Sequence, residues 1–363
     1  MGFKLREYTE PNFNEDRFIK APNARVELVI KDGVAPDNYH ANSIYPEYFK
    51  VNDKWVLAKE SRMDCVVRIN ENDEPEVVEF RKLKVGDKVV VGRTEDASEG
   101  IYLYPDGFYK SGTSEQDVFA FRSGRSRETS YTKDYENLYD LLKYEKENGY
   151  IVWVLGPAAV FAKGARDAMA ELVNSGYVDA FFGGNAVATH DLEAGMFHTA
   201  LGQDIYTQES RKDGHYHHLD LLNKARRSGS IENLIEQENI NDGIIHACVK
   251  NNIPIVLGGS LRDDGPLPIV IGDVYKAQDE MRKYVSKATT VICLATQLHS
   301  IATGNMTPSY RVIDGNVRPV HFYSVDVSEF AVNKLRDRGS LEVTTIVTNV
   351  QDFLVKLKEN LVD

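Results

Sequence analysis

From residue 134 onward the chain alternates apolar, strand-length runs with longer segments of helical periodicity. The predicted strands are 151–155, 178–182, 253–257, 289–294, 319–325 and 343–347. The predicted helices are 134–148, 162–175, 191–201, 219–227, 231–237, 243–251, 270–285, 328–338 and 350–361. Parallel neighbours in a sheet need a crossover connection, which is usually a helix. This alternation therefore predicts an α/β fold with a doubly wound parallel sheet.

The first part of the chain follows a different pattern, with short alternating runs separated by turn residues and no periodic helix. Such a pattern is typical of a small β-rich domain, which we predict for residues 1–95. Residues 96–133 are rich in glycine, serine, tyrosine and charge, and we interpret them as a connector or possible lid. Three arginines within 121–131 could hold a phosphate or a carboxylate, or belong to a solvated loop. The α/β domain is assigned to residues 134–363.

The composition limits the class of partner. Hydrophobic residues make up 42% of the chain and the formal net charge is −12, which disfavours nucleic acid or an anionic membrane as the main partner. No apolar run approaches the roughly 20 residues that cross a bilayer. The three cysteines, Cys65, Cys248 and Cys293, are too scattered for a disulfide framework or a zinc motif, so the expected location is the cytoplasm.

Small or amide residues follow four of the predicted strands. They are Gly156-Pro157-Ala158, Gly183-Gly184-Asn185, Gly258-Gly259-Ser260 and Ala295-Thr296. Open α/β sheets bind nucleotides at the carboxyl ends of their strands, where glycine lets the backbone approach a ligand closely. An ordinary polar turn is the alternative. Neither a G-x-G-x-x-G fingerprint nor a P-loop is present, which disfavours a conventional Rossmann dehydrogenase and a kinase.

An acidic residue, Asp326, follows the fifth predicted strand. An acidic side chain at this place can bind the ribose hydroxyls of an adenine dinucleotide. It can equally cap the helix that is predicted to begin at Ser328, because aspartate is a favoured N-cap. The residues alone leave both roles open.

Several histidines lie near the predicted crevice. His190 precedes Asp191, and the pair could act as acid or base near neutral pH or could simply begin a helix. His215, His217 and His218 resemble a metal cluster. Zinc sites usually need a further ligand at a recognisable spacing, and the sequence offers no convincing partner. We therefore predict no metal site.

Charged residues are concentrated in the tip that follows the third predicted strand. Arg262 could grip a substrate carboxylate there, while Asp263 or Asp264 takes an ammonium group or a proton. Arg62 and Asp64 repeat this chemistry in the β-rich domain. A surface salt-bridge network is the alternative interpretation of both groups.

Longer ordered motifs contain most of these residues. They are RMDC (62–65), GPA (156–158), GNA (184–186), HDLEA (190–194), GHYHH (214–218), GGSLRDDGPLP (258–268), ATQLHS (295–300) and GNMTPS (304–309). Together they resemble the archaeal-type ornithine cyclodeaminase family, also described as the conserved region of the LOR/SDH bifunctional enzyme. The resemblance spans residues 33 to 355. The same family forms the carboxyl-terminal part of cyanobacterial arginine dihydrolase/cyclodeaminase enzymes.

The resemblance implies an NAD-binding domain similar to that of deoxyhypusine synthase, a doubly wound sheet without the usual glycine fingerprint. It also implies a redox-neutral cyclodeamination. In such a reaction NAD+ takes a hydride from C2 of L-ornithine, the δ-amine attacks the resulting imine, ammonia leaves, and the hydride returns to give L-proline. The alternatives are an NAD-linked amino-acid or opine-type oxidoreductase that releases NADH, and a non-catalytic NAD-sensing module.

Residue roles follow from the strand ends and the resemblance together. The predicted cofactor-binding residues are Gly156, Pro157, Gly184, Asn185, Gly258, Gly259, Ser260, Thr296, His299, Ser300 and Asp326. The predicted catalytic residues are His190, Arg262, Asp263, Asp264 and Asp64. The resemblance further implies a small diamino-acid substrate and a homodimer or homotetramer with the cofactor near a subunit interface.

Three features depart from the family pattern. The family commonly carries a further small domain before the β-rich one, and this chain is expected to begin after it. Residues 121–131 do not match the family's connector. Residues 310–320 have the pattern of an extra hairpin. All three lie where the choice of substrate could be determined.

Overall fold

The computed structural model describes residues 3–108, 132–328, 331 and 340–362. The arginine-containing segment 121–131 and most of the predicted helix 328–338 lie outside these ranges. Within the described ranges, no helix combines the length and the apolarity needed to cross a membrane.

Two small antiparallel sheets and a one-turn helix, α1 (Asp16–Ile19), form the amino-terminal part. The strands are β1 (Arg25–Leu28), β2 (Glu47–Val51), β3 (Lys54–Leu57), β4 (Val66–Ile69), β5 (Pro75–Val78), β6 (Lys88–Val91) and β7 (Ile101–Leu103). They pair in the orders β1-β6-β4-β5 and β3-β2-β7. Phe49, Val67 and Ile101, from both sheets, are fully buried in one shared cluster. Strand β7 lies within the segment interpreted as a connector, so sheet structure continues past residue 95.

The second part of the chain contains a six-stranded parallel sheet. Its strands and those of two hairpins are β8 (Ile151–Leu155), β9 (Ala180–Gly184), β10 (Thr199–Ala200), β11 (Gln203–Asp204), β12 (Ile255–Gly258), β13 (Thr290–Leu294), β14 (Tyr310–Ile313), β15 (Asn316–Pro319), β16 (His321–Asp326) and β17 (Glu342–Val347). The parallel sheet has the order β12-β9-β8-β13-β16-β17. Counted along the chain this is 3-2-1-4-5-6, the order found in dinucleotide-binding doubly wound folds. The predicted fold class is confirmed.

Helices cover both faces of this sheet. They are α2 (Thr132–Asn148), α3 (Lys163–Asn174), α4 (Asn185–Phe197), α5 (Gly214–Ser228), α6 (Ile231–Gln237), α7 (Ile244–Lys250), α8 (Val274–Val285), α9 (Gln297–Met306) and α10 (Val350–Leu361). Neighbouring strand residues point to opposite faces, as the pleat requires. Trp153 packs in one core cluster with Met169 of α3, and Val154 packs in another with Met281 of α8.

The prediction of a helix over 191–201 is wrong at both ends. Helix α4 begins at Asn185, directly after β9, because the extended backbone of Gly184 starts the helix without an intervening loop. It ends at Phe197, because His198 adopts a left-handed conformation with φ of 59°. The glycine-asparagine turn of the sequence pattern is therefore itself the amino terminus of a helix, whose first backbone N–H groups lack intrahelical partners.

Two further helix starts differ from the prediction. Helix α8 begins at Val274 rather than at residue 270, because the Asp273 side chain caps it and Ile271 still pairs with the end of β12 through a 2.9 Å bond to Leu257 O. Helix α5 begins at Gly214 rather than at residue 219, so the GHYHH motif forms its first turn.

The hairpin predicted at 310–320 is confirmed by the antiparallel pairing of β14 with β15. It leads directly into the first residue of β16, so it lies at the amino edge of the parallel sheet. Tyr310 is fully buried and donates to Ala58 O of the β-rich part, and Arg318 pairs with the buried Glu145 of α2. The hairpin therefore contacts both the β-rich part and helix α2 of the α/β part. These contacts lie at the amino edge of the sheet, opposite the small-residue turns.

Candidate active site

The order of the parallel strands places a crevice between the carboxyl ends of β8 and β13. The chain leaves these neighbouring strands in opposite directions, and ligands of open α/β sheets bind at such a switch point. Gly156 N donates to Leu294 O at 2.8 Å across the two strands. A Cβ atom on Gly156 would lie 2.0 Å from Ala295 O, so no side chain fits here. Pro157 follows and begins a short 3-10 turn over Pro157–Val160.

His299 of α9 lies over the ends of β9 and β12. A Cβ atom on Gly184 would be 2.9 Å from His299 Cε1, and one on Gly258 would be 3.5 Å from His299 Nε2. These two glycines therefore make room for the imidazole. Thr296 Oγ1 lies 3.5 Å from His299 Nδ1, at the limit of a hydrogen bond. The structure thus brings together four of the predicted cofactor-binding residues.

Burial lowers the pKa of His299, and the negative charge of Asp263 opposes that shift. A histidine whose pKa is lowered is a neutral imidazole near pH 7, which can accept a proton. The sequence places His299 in the cofactor-binding set, whereas its surroundings also suit acid–base chemistry.

The loop after β12 forms a tight turn that holds Asp263 inward. Ser260 N donates to Asp263 Oδ2 at 2.8 Å, and Asp263 N donates to Ser260 O at 3.0 Å. Arg262 and Asp264 are exposed, and neither forms an ion pair with another described residue. Gly259 approaches the following segment closely, since a Cβ atom on it would lie 3.2 Å from Gly272 Cα.

Asn185 ties this loop to helix α4. Its Oδ1 accepts from Leu267 N at 3.0 Å and from Thr189 Oγ1 at 3.1 Å. The Asn185 side chain is buried, so these bonds fix the position of the loop relative to the start of α4. Its carbonyl oxygen is thereby engaged with the protein itself.

Asp326, Thr296 and Ser300 line one small concavity at the ends of β13 and β16. Asp326 Oδ1 accepts from Ser328 N at 2.8 Å. Ser300 donates its hydroxyl proton to Thr296 O within its own helix, an arrangement that stabilises the helix rather than preparing a nucleophile.

His190 meets a carboxylate, but that carboxylate is Glu193 and not Asp191. His190 Nδ1 lies 3.0 Å from Glu193 Oε2, one turn further along α4. Asp191 instead pairs with the buried Arg166 at 2.8 Å and accepts from the first backbone N–H groups of α7. The ring of His190 lies 5.1 Å from that of His218. The His-x-x-Glu spacing, which places both side chains on one helical face, is the sequence signal that would have identified Glu193.

Asp64 occupies a different part of the molecule. It lines a cavity of about 310 Å³ between the β-rich part and helices α8 and α9, together with Glu79, Arg282 and Asn305. None of the strand-end residues lines this cavity. The structure therefore does not bring Asp64 to the crevice where Asp263 and His299 meet.

Comparisons with known proteins agree with this architecture. Residues 138–357 match the family model described as arginine dihydrolase ArgZ-like, C-terminal, Rossmann fold. Residues 46–131 match the model for the first region of the same C-terminal part. An ornithine cyclodeaminase from Methanopyrus kandleri is 37% identical over 345 residues, which cover 94% of this chain and 79% of that protein.

Two solved structures are similar over most of the chain. A conserved LOR/SDH protein from Methanococcus maripaludis S2 has a TM-score of 0.83 at 36% identity, covering 94% of this chain and 98% of that one. The ternary complex of AgrE with ornithine and NAD+ has a TM-score of 0.59 at 34% identity, covering 94% of this chain and 46% of that one. The Rossmann fold and these relatives support the use of NAD. This chain belongs to the ArgZ-like C-terminal family, with the archaeal proteins named ornithine cyclodeaminases.

Proposed function

We propose that the protein is an NAD-dependent ornithine cyclodeaminase that converts L-ornithine to L-proline and ammonia. The observation that carries the proposal is the bare backbone contact between Gly156 and Ala295 at the switch point of a 3-2-1-4-5-6 sheet. Two relatives support the substrate: one is named an ornithine cyclodeaminase, and AgrE has been crystallised with ornithine and NAD+.

The residues at the strand ends fit a dinucleotide. The close contact of Gly156 with Ala295 leaves no room for a side chain on the crevice floor, and α4 begins directly at the end of the neighbouring strand β9. The Asp326 carboxylate suits ribose hydroxyls, and Thr296 and Ser300 line the same concavity. When bound, NAD+ would supply the acceptor and later the donor of the hydride.

His299 and Asp263 are suited to move the protons of the reaction. The α-amine of ornithine must be neutral before C2 can lose a hydride, and the neutral imidazole of His299 can accept that proton. The same proton can return to the departing α-nitrogen, so ammonia leaves without a second acid. The negative charge of Asp263 favours the protonated ring and would stabilise the imidazolium between the two transfers.

The exposed pair Arg262 and Asp264 is suited to the two ends of the amino acid. Arg262 can bind the α-carboxylate in a bidentate manner. Asp264 can bind the side-chain ammonium and then take its proton, which leaves the neutral δ-amine that attacks the imine. Because neither forms an ion pair with a described residue, no existing partner has to be displaced when substrate binds.

Exposed apolar residues around the crevice support an oligomer. Leu261 is fully exposed, and Leu298 and Val327 are 73% and 68% exposed. A neighbouring subunit over this rim would remove them from water and shield the hydride from solvent. Light scattering of the purified protein would show a dimer or tetramer, and a monomer at assay concentrations would contradict this part of the proposal.

The function is tested by incubating the purified chain with L-ornithine and catalytic NAD+. We expect one proline and one ammonia per ornithine consumed, without a steady rise in absorbance at 340 nm. Steady accumulation of NADH would indicate a net oxidoreductase instead. Tight NAD+ binding without product from ornithine would indicate a binding module.

A matched pair of variants assigns the substrate contact. Asp264→Asn should lower turnover while leaving the affinity for NAD+ unchanged, because the side chain is placed on substrate rather than on cofactor. Asp314→Asn, in the hairpin at the opposite edge, is the control and should behave as the wild type. Equal turnover in both variants would remove Asp264 from the site.

A further inference from the structure

Helices α4 and α5 bring together three potential metal ligands. His190 and Glu193 occupy one face of α4 at i, i+3 spacing, and His218 projects from the first turns of α5. One ligand atom from each of the three lies within 4.8 Å of the other two. The prediction of no metal site rests on the short spacing within GHYHH, whereas the partners of His218 lie on another helix.

Hydrogen bonds within the described part of the protein leave one member of this cluster, His218, without a partner at a buried nitrogen. His218 Nδ1 is buried and has no hydrogen-bond partner among the described residues. The His190 ring is buried between those of Phe161 and His218, at centroid distances of 5.6 and 5.1 Å. A buried imidazole nitrogen without a partner destabilises the folded protein, because the nitrogen has lost its hydrogen bond to water. A ligand that pairs with the nitrogen removes this cost.

The Glu193 carboxylate is already oriented for ligation. Its Oε1 accepts from Thr199 Oγ1 at 2.8 Å and from Gly202 N at 3.1 Å, and its Oε2 accepts from Leu201 N at 3.2 Å. The same Oε2 also lies 3.0 Å from His190 Nδ1, so the carboxylate is directed toward the imidazole. Carboxylates that ligate metals are typically held by such outer hydrogen bonds, which fix their direction.

We infer that His190, Glu193 and His218 form a binding site for a divalent transition metal, with Zn²⁺ the best fit. Two histidines and one glutamate, with a fourth position for water, are an established zinc ligand set. The ion would replace the proton shared by His190 and Glu193 and would give His218 Nδ1 a partner. Calcium and magnesium do not fit, because they prefer all-oxygen ligands.

The inference is independent of the proposed reaction, since the cluster lies between α4 and α5 and shares no residue with the pair Asp263 and His299. If the ion is present, His190 ligates it and is not available as a free proton acceptor. Metal binding is measured without ornithine or NAD+, so failure of either proposal is visible separately.

The test uses the full chain, stripped with a chelator and titrated with Co²⁺ as a spectroscopic probe, followed by competition with Zn²⁺. We expect one equivalent of Co²⁺ with visible ligand-field absorption, which Zn²⁺ abolishes. His218→Ala should lose this absorption. Thr199→Val removes no ligand atom, but it removes the bond to the ligand carboxylate and the 2.9 Å bond to His217 Nδ1. It should weaken affinity about 10- to 100-fold.

His215→Ala is the matched control, because His215 is an exposed histidine on the same helix whose ring lies against Tyr216. It should bind Co²⁺ like the wild type. Absence of a stoichiometric site in the wild type would overturn the inference. So would unchanged binding in both His218→Ala and Thr199→Val, or loss of binding in His215→Ala. The Thr199→Val result stands even if His218→Ala fails to fold.

Discussion

The two edges of the parallel sheet differ in the residues that they carry. At the carboxyl edge the strands end in Gly156, Gly184 and Gly258, and the space above them is left to backbone and one neutral imidazole. At the amino edge Glu145 and Arg318 are buried and paired, and they join the sheet to the hairpin. The proposed binding residues thus occupy one edge, and the buried pair Glu145 and Arg318 lies at the other. Variants at the two edges should therefore separate function from stability.

The largest effect is expected at the amino edge. Arg318→Met leaves the Glu145 carboxylate buried without its cationic partner, although the bond from Thr289 Oγ1 remains. Breaking a buried pair in this way costs roughly 3–5 kcal/mol of unfolding free energy. Urea unfolding would measure the loss, and kcat of the folded fraction should stay unchanged. The double variant Glu145→Leu/Arg318→Met should recover much of the stability; an equally unstable double variant would contradict the explanation.

A smaller effect, seen in activity, is expected at the carboxyl edge. Gly156→Ala would force the β8 and β13 ends apart, because its Cβ cannot remain 2.0 Å from Ala295 O. A displacement of about 1 Å at a reacting site costs on the order of 100-fold in kcat/KM. Steady-state kinetics would show the loss. Gly272→Ala is the control, since nothing lies within 4 Å of its added Cβ. Similar activity in both variants would refute the role of the switch point.

Asp326→Ala should weaken NAD+ binding by about 10-fold, as expected when a charged hydrogen bond worth about 1.5 kcal/mol or more is removed. Isothermal titration of NAD+ would measure the change. Asp326→Asn keeps an acceptor for Ser328 N and should preserve local structure. If Asp326→Ala binds NAD+ with wild-type affinity, the side chain is a cap alone.

The smallest expected effect is a shift in pH dependence. Burial lowers the pKa of His299, so the acid limb of the kcat/KM profile should lie below the ordinary histidine value near 6.5. The charge of Asp263 favours the protonated ring and raises that pKa. Asp263→Asn should therefore move the limb further toward acid pH. An upward shift, or none, would show that the two groups are not coupled in catalysis.

The fold class could be predicted from the sequence, because the period of the hydrophobic residues distinguishes strands from helices. The first residue of each helix is harder to predict from the sequence. Gly184 begins α4 through its backbone conformation and Asp273 delays α8 through a cap, and neither effect changes the apolar pattern. The strand order depends on packing between distant segments, so the crevice between β8 and β13 could be expected only as a property of the fold class.

The candidate site likewise contains residues that the sequence identifies and residues that it does not. Glycines at strand ends mark close backbone approach, and the sequence identified them for that reason. The sequence offers Asp191 as one possible partner of His190, yet residues adjacent on a helix point in different directions. Glu193, three positions further on, is the residue that contacts His190. His218 joins them only because α4 packs on α5, a contact that no local pattern encodes.

The glycine at position 156 has a consequence for how this protein can vary. The chain contains 26 glycines, and at Gly86, Gly229, Gly272 and Gly315 an added Cβ would meet nothing within 4 Å. A saturation library should therefore accept alanine at Gly272, where the backbone is also unstrained, while rejecting every replacement at position 156. The tolerance of each glycine to substitution would show at which positions two backbone segments are in direct contact.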